Sequence, residues 1–169
     1  MSLLSKIRTT LTTHKADLSG HPHDDFVDRR RRKRLNALAG SRVLIIDDSK
    51  TVCSMLGRML RQNQYDVAVA YNGETGLRMI KEQLPELIFL DIVLPGINGF
   101  QVLRALRKSP MTKNIPVIMI SGNAQATEKY YAERIGADDF MKKPFTRADV
   151  FHRMETFINN HRRLTRMAS

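Results

Sequence analysis

Cysteine is almost absent from this sequence: Cys53 is the only one in 169 residues. A monomer therefore has no disulfide framework, and a reducing compartment is the default. Cys53 falls among Val52, Met55 and Leu56 in a helical pattern, the setting of a buried, inert thiol. Long apolar runs are missing as well. No stretch reaches the 18 or so residues of a membrane-spanning helix, and the N-terminus lacks the continuous apolar core of a secretory signal. A cytoplasmic location is the expectation. Acidic residues are the scarcer charge, 17 against 28 Lys and Arg, which leaves a net +11. Such an excess suits nucleic acid, anionic lipid or an acidic protein surface, and charge alone does not choose among them.

What is present is ordinary globular composition, 42% hydrophobic and 27% charged, so a packed core is expected. The chain is long enough for one compact domain and an appendage. Residues 1–40 form the appendage. They carry nine basic and four acidic side chains, with Leu4, Ile7, Leu11 and Leu18 near helical spacing and a break at Gly20-His21-Pro22-His23. Residues 24–38 read as a second helix holding the run Arg29-Arg30-Arg31-Arg32-Lys33-Arg34, and Ala39-Gly40 reads as a linker. His21 and His23 beside Asp24 and Asp25 are metal-capable types, but a polar loop is the better reading there. Residues 41–160 form the domain and 161–169 a basic tail.

From Arg42 onward, short apolar runs alternate with helical periodicity. Strands are expected at Arg42–Ile46, Asp66–Ala70, Leu87–Asp91, Pro116–Ile120 and Asp139–Lys142. Val52, Met55, Leu56, Met59 and Leu60 mark the first helical stripe. Leu77 and Ile80 begin the second. Phe100, Val102, Leu103 and Leu106 mark the third, which stops near Ser109-Pro110. Ala124–Ile135 is a more polar fourth, and Val150, Phe151, Met154, Phe157 and Ile158 mark the fifth, with Thr146 and Asp149 as its capping box. Fivefold strand–helix alternation implies a parallel sheet covered on both faces.

In such a sheet every strand ends on one edge, where ligands bind. The first strand ends at Asp47-Asp48, the third at Asp91, the fourth at Ser121 and the fifth at Lys143. Three carboxylates, a hydroxyl and an ammonium converge. Mg²⁺ takes oxygen ligands and keeps several waters, so a few carboxylates and a phosphoryl oxygen suit it. An aspartate can attack phosphorus to give an acyl phosphate, while ammonium and hydroxyl donors neutralise the equatorial oxygens.

Asp47-Asp48-Ser49-Lys50, Asp91 with Pro95 and Gly99, Ser121-Gly122, and Gly136-Ala137-Asp138-Asp139-Phe140 before Lys143-Pro144-Phe145 together resemble the receiver domain of response regulators, over about residues 42–160. The resemblance implies a flavodoxin-like, doubly wound α/β fold with strand order 2-1-3-4-5. It implies that Asp91 is the phosphoacceptor, that Asp48 ligates Mg²⁺ and Asp47 does so through water or acts as a nearby acid, and that the Val93 carbonyl adds a ligand. Lys143 would pair with a phosphoryl oxygen across a cis bond to Pro144. Ser121 would bond the phosphoryl group, and Phe140 would be the aromatic that turns inward as Ser121 moves. Ser121 stands where threonine is commoner, Phe140 lacks a tyrosine hydroxyl, and Asn98-Gly99 replaces Asp-Gly in what should be a turn.

The function implied is a phosphoacceptor switch, with only Mg²⁺-dependent self-phosphorylation and self-dephosphorylation chemistry and no other enzymatic activity. A histidine kinase or phosphotransfer protein would donate, and the face of the fourth helix, fifth strand and fifth helix would signal to a downstream target. Nothing resembling an output domain follows Asn160, so output is expected through protein contact or through residues 1–40. The stretch from Asp91 to Gln101 resembles stand-alone chemotaxis and pilus-motility receivers. The alternative is a DNA-binding or transcription-linked regulator that uses Arg29–Arg34, and a third reading is homodimerisation through the N-terminal helices.

Overall fold

A computed structural model describes residues 40–122, 129 and 132–167, with side chains described as far as Phe157. The expectations for residues 1–39, including the arginine run, His21 and His23, and those for most of Ala124–Ile135, lie outside the described residues. Among the described residues, no helix is long and apolar enough to cross a membrane.

Five strands form one parallel sheet: β1 Arg42–Ile46, β2 Asp66–Ala70, β3 Leu87–Asp91, β4 Val117–Ser121 and β5 Asp139–Lys142. Their order is β2-β1-β3-β4-β5, as expected of the fold. Register aligns Ile46 with Leu90, Asp91 with Ile120 and Ser121 with Lys142, so the strands end together on a carboxyl edge. β3 and β4 are buried throughout because both of their faces are covered. β4 starts one residue later than expected. Pro116 has no N–H to give to a ladder, and the Val117 N–H goes to the Asp138 side chain at 2.7 Å.

The helices are α1 Lys50–Arg61, α2 Gly73–Gln83, α3 Gly99–Lys108, α4, described at residues 132–134, and α5 Arg147–Met167. α5 runs on through residues expected as the tail. Alternate strand residues serve two core layers. Val43, Ile45, Phe89 and Ile120 pack with Leu56 and Leu60 of α1 and with Val150 and Met154 of α5. Leu44, Ile46, Leu90 and Met119 pack with Ile80 of α2, Leu103 and Leu106 of α3 and Ala132 of α4. A helix turned by one residue would carry its apolar stripe out of these layers.

Capping sets where the helices begin. The Ser49 Oγ accepts the Val52 N–H at 3.4 Å, and the Asn72 Oδ1 accepts the Thr75 N–H at 2.8 Å. Thr146 and Asp149 form the expected reciprocal cap, with Thr146 N to Asp149 Oδ2 at 2.8 Å and Asp149 N to Thr146 Oγ1 at 3.2 Å. Asn98-Gly99, expected as a turn, instead starts α3. Asn98 accepts the Gln101 N–H at 3.0 Å, and the Gln101 side chain accepts the Asn98 N–H at 2.9 Å. Gly99 has no alternative, since a Cβ there would overlap the Asp91 carbonyl.

Candidate functional site

Asp47 and Asp48 leave β1 just ahead of the Ser49 cap, which turns the chain into α1. Asp91 ends β3. Their carboxylates come together with one oxygen from each within 4.8 Å of the others. Asp47 is fully buried, Asp91 is 4% exposed and Asp48 faces solvent. Neither Asp47 nor Asp48 lies inside α1, whose first turn holds no acid.

Lys143 crosses from the end of β5 and lies between two of these acids. Its Nζ is 3.0 Å from Asp91 Oδ2, a directed hydrogen bond, and 2.7 Å from Asp47 Oδ2. The second is a short charge-assisted contact, and the buried Asp47 Oδ2 has no further donor. The other Asp47 oxygen accepts the Ser49 N–H at 2.9 Å. The expected cis bond joins Lys143 to Pro144.

Burial raises the Asp91 pKa above the ordinary carboxylate value. The Lys143 hydrogen bond pulls it down and the Asp47 charge pushes it up, and the net is upward. For Lys143, burial opposes the charge, but hydrogen bonds and attraction to Asp47 and Asp91 outweigh it, so its pKa is raised. Cys53 lies beneath the site and donates its S–H to the Asp47 carbonyl at 3.2 Å. Burial, with Asp47 nearby, pushes this thiol up to about 11. It is therefore protonated and inert, as the sequence suggested.

The remaining expected residues divide into two groups. Ser121 is buried at the end of β4, on the same edge. Val93 sits in the loop after β3 with its side chain 69% exposed, and its backbone hydrogen-bonds the Asp91 carboxylate. Phe140 lies below the edge, opposite Met119, and is 8% exposed within the core layer beside α4. In this structure the aromatic is already seated inward.

The site fits a divalent cation. Three clustered carboxylates have one ammonium among them, and the buried Asp47 Oδ2 relies on Lys143 alone. A hard cation with oxygen ligands would satisfy both conditions. Two features of the surroundings escaped the sequence reading. Glu74 of α2 accepts the Ile97 N–H at 3.1 Å, and Gly99 presses on the Asp91 carbonyl. Asn72-Gly73-Glu74-Thr75, a cap residue with an acid in the first turn, was the available signal for the first.

Known proteins share this arrangement. The family model for the response regulator receiver domain matches residues 43–155. Protein PilH of Pseudomonas aeruginosa is 40% identical over 104 residues, 62% of this chain and 86% of its own length. A protein of Chloroflexus aurantiacus assigned as a response regulator is 32% identical, covering 71% of this chain and 98% of its own, with a TM-score of 0.69. The receiver domain of the sensor histidine kinase PA1611 from Pseudomonas aeruginosa, solved with a magnesium ion coordinated in its active-site cleft, is 26% identical over 72% of this chain and 99% of its own, with a TM-score of 0.67. A match spanning every strand and the acidic edge settles what the fold alone would leave open: the chain belongs to the response regulator receiver domain family.

Proposed function

We infer that this receiver works by phosphorylation of Asp91, in a cytoplasmic switch of the chemotaxis or pilus-motility type. The observation that carries the reading is the Lys143 ammonium lodged between Asp47 and Asp91, at 2.7 and 3.0 Å, on the carboxyl edge of the sheet. The likeness to PilH supports the motility type.

In the proposed step a carboxylate oxygen of Asp91 forms a bond to phosphorus as the P–N bond of a phosphohistidine donor breaks. The electron pair leaves with the imidazole nitrogen, which then takes a proton from solvent. Lys143 hydrogen-bonds the carboxylate beforehand and is placed to follow the transferred group, holding charge on a phosphoryl oxygen. Ser121, on the neighbouring strand end, would donate its hydroxyl to another. Asp47, Asp48, Asp91 and the Val93 carbonyl would hold Mg²⁺, which supplies neutralisation of the phosphoryl oxygens when bound.

Phosphorylation removes the Asp91 carboxylate charge from Lys143 and sets a phosphoryl dianion in its place. Ser121 and Lys143 would then be drawn toward the phosphoryl group. Phe140 lies three residues before Lys143 on β5, so its inward seat is the state this pull would favour. A phosphoryl group shifts the population between two arrangements only by its differential contacts with them, and these two donors are the contacts available. The β5 surface with α4 and α5 would report the change to a target protein. Arg29–Arg34, on which the DNA-binding alternative rests, and the N-terminal residues of the homodimer reading lie outside the described residues.

The test is labelling by acetyl phosphate with Mg²⁺ of the wild type and of Asp91→Asn. The expectation is stoichiometric, acid-stable, base-labile label on the wild type and background on the variant. Equal labelling of the two would remove Asp91 from the role.

A further inference from the structure

The loop between β3 and α3, residues 92–98, carries Val93. It is held at both ends by the sheet and α3: the Ile92 N–H donates to the Ile120 carbonyl at 3.0 Å, and the Gly99 N–H donates to the Ile92 carbonyl at 3.0 Å. Its middle is held by a different element. The Glu74 Oε1, from the first turn of α2, accepts the Ile97 N–H at 3.1 Å, across 23 residues of sequence. Gly96, at φ +75°, lies so close that a Cβ would overlap the Glu74 carboxylate. Gly73, one residue before Glu74, leaves no room for a Cβ against the Ile97 carbonyl and the Val102 side chain. Two glycines, one on each side, let α2 and the loop meet around this carboxylate.

We propose that Glu74 is a positioning residue for the cation site, acting by fixing the arc from Ile92 to Ile97 on which the Val93 carbonyl is presented. The inference rests on the reading of that carbonyl as a metal ligand. Ile92 and Ile97 are pinned by separate elements, so the carbonyl between them has little freedom while both anchors hold. Release of the Ile97 anchor widens the range of positions that the carbonyl samples. Outer-shell groups that orient a ligand act on metal affinity in this way without touching the metal. The simpler role for Glu74 is an acid complementing the α2 dipole. The two differ in what they require: a dipole acid needs the charge, whereas an anchor needs the acceptor oxygen.

The experiment uses the full chain and Mg²⁺ alone, with Glu74→Gln, Glu74→Ala and Asp48→Asn beside the wild type. Mg²⁺ affinity is read by titration calorimetry, and exchange of the Val93 and Ile97 amides is read by NMR on metal-free protein. Glu74→Ala should weaken Mg²⁺ binding by roughly tenfold and speed Ile97 exchange. Glu74→Gln, which keeps an acceptor, should restore both, and Asp48→Asn should abolish binding with Ile97 exchange unchanged. Glu74→Gln matching Glu74→Ala in affinity would show a charge effect and overturn the anchor. Wild-type affinity in Glu74→Ala, with Asp48→Asn dead, would overturn the anchor and leave the metal reading intact. Absence of binding in the wild type would overturn both.

Discussion

At the amino edge of the sheet, Arg107 of α3 makes four hydrogen bonds. Its Nε donates to the Gly136 carbonyl at 2.7 Å, Nη1 to the Lys113 and Ile115 carbonyls at 3.0 and 2.9 Å, and Nη2 to Asp138 Oδ2 at 2.7 Å. One cation meets one carboxylate, and that carboxylate also takes the Val117 N–H. At the carboxyl edge, Lys143 pairs with Asp47 and Asp91 beside Asp48, and the buried Asp47 Oδ2 has no donor other than Lys143. The first ties the starts of β4 and β5 to α3, the second ties the end of β5 to β1 and β3, and both are partly buried. The first is closed, with charge balanced and four hydrogen bonds made, and the second carries two surplus negative charges. A closed cluster is a staple. An open one has free energy in hand for a ligand that brings the missing charge, at the cost of like-charge repulsion while it waits.

Four perturbations test that contrast. The largest effect is expected from Arg107→Ala, which removes a donor from three carbonyls and an ion-pair partner from a carboxylate. Urea unfolding should show a loss of about 3 kcal/mol, and saturating Mg²⁺ should not change the difference from wild type. Lys143→Ala should cost less, about 2 kcal/mol without metal, and added Mg²⁺ should recover most of it, because the cation neutralises the same carboxylates. This variant should keep metal binding but lose the change at Phe140 on phosphorylation, read by ¹⁹F NMR of a fluorinated phenylalanine. If Mg²⁺ rescued Arg107→Ala equally, the distinction between closed and open clusters would fail.

The third test is pH. Asp91 has its pKa raised in the folded state, first by burial. Between the unfolded value and this raised one, the folded protein binds more protons than the unfolded chain, so stability falls as pH rises. Below that window the contribution is fully present, and above it the loss is constant. Metal-free protein should show this fall in urea midpoints as pH rises above the ordinary carboxylate value, and Asp91→Asn should lack it. The smallest effect is expected from Asp48→Asn. Asp48 is exposed, so removing its charge should raise the metal-free midpoint only slightly while Mg²⁺ binding is lost.

Much of the site was legible in the sequence because it depends on where strands end. Leu87–Leu90 followed by Asp91, and Val43–Ile46 followed by Asp47, are local patterns, and a parallel sheet brings such ends to one edge whatever the loops do. The cap at Thr146-Asp149 was legible for the same reason, since its partners are three residues apart. The start of β4 was misjudged because Pro116 looks like part of an apolar run, while the ladder needs an N–H that proline lacks. Asn98-Gly99 was read as a turn because those residues favour turns. Contact with the Asp91 carbonyl makes the same glycine the first residue of a helix.

The sequence by itself determined the five strands, their burial on one or both faces, and the acids and lysine at their ends, because periodicity and run length are properties of neighbours. It also carried enough family pattern to set the strand order. Only the tertiary structure decided that Lys143 lies between Asp47 and Asp91, that Phe140 is seated inward, and that Glu74 and Arg107 hold loops 23 and 29 residues away. These depend on distances between elements, which packing of helices on the sheet sets to a fraction of an ångström and which no local spacing records.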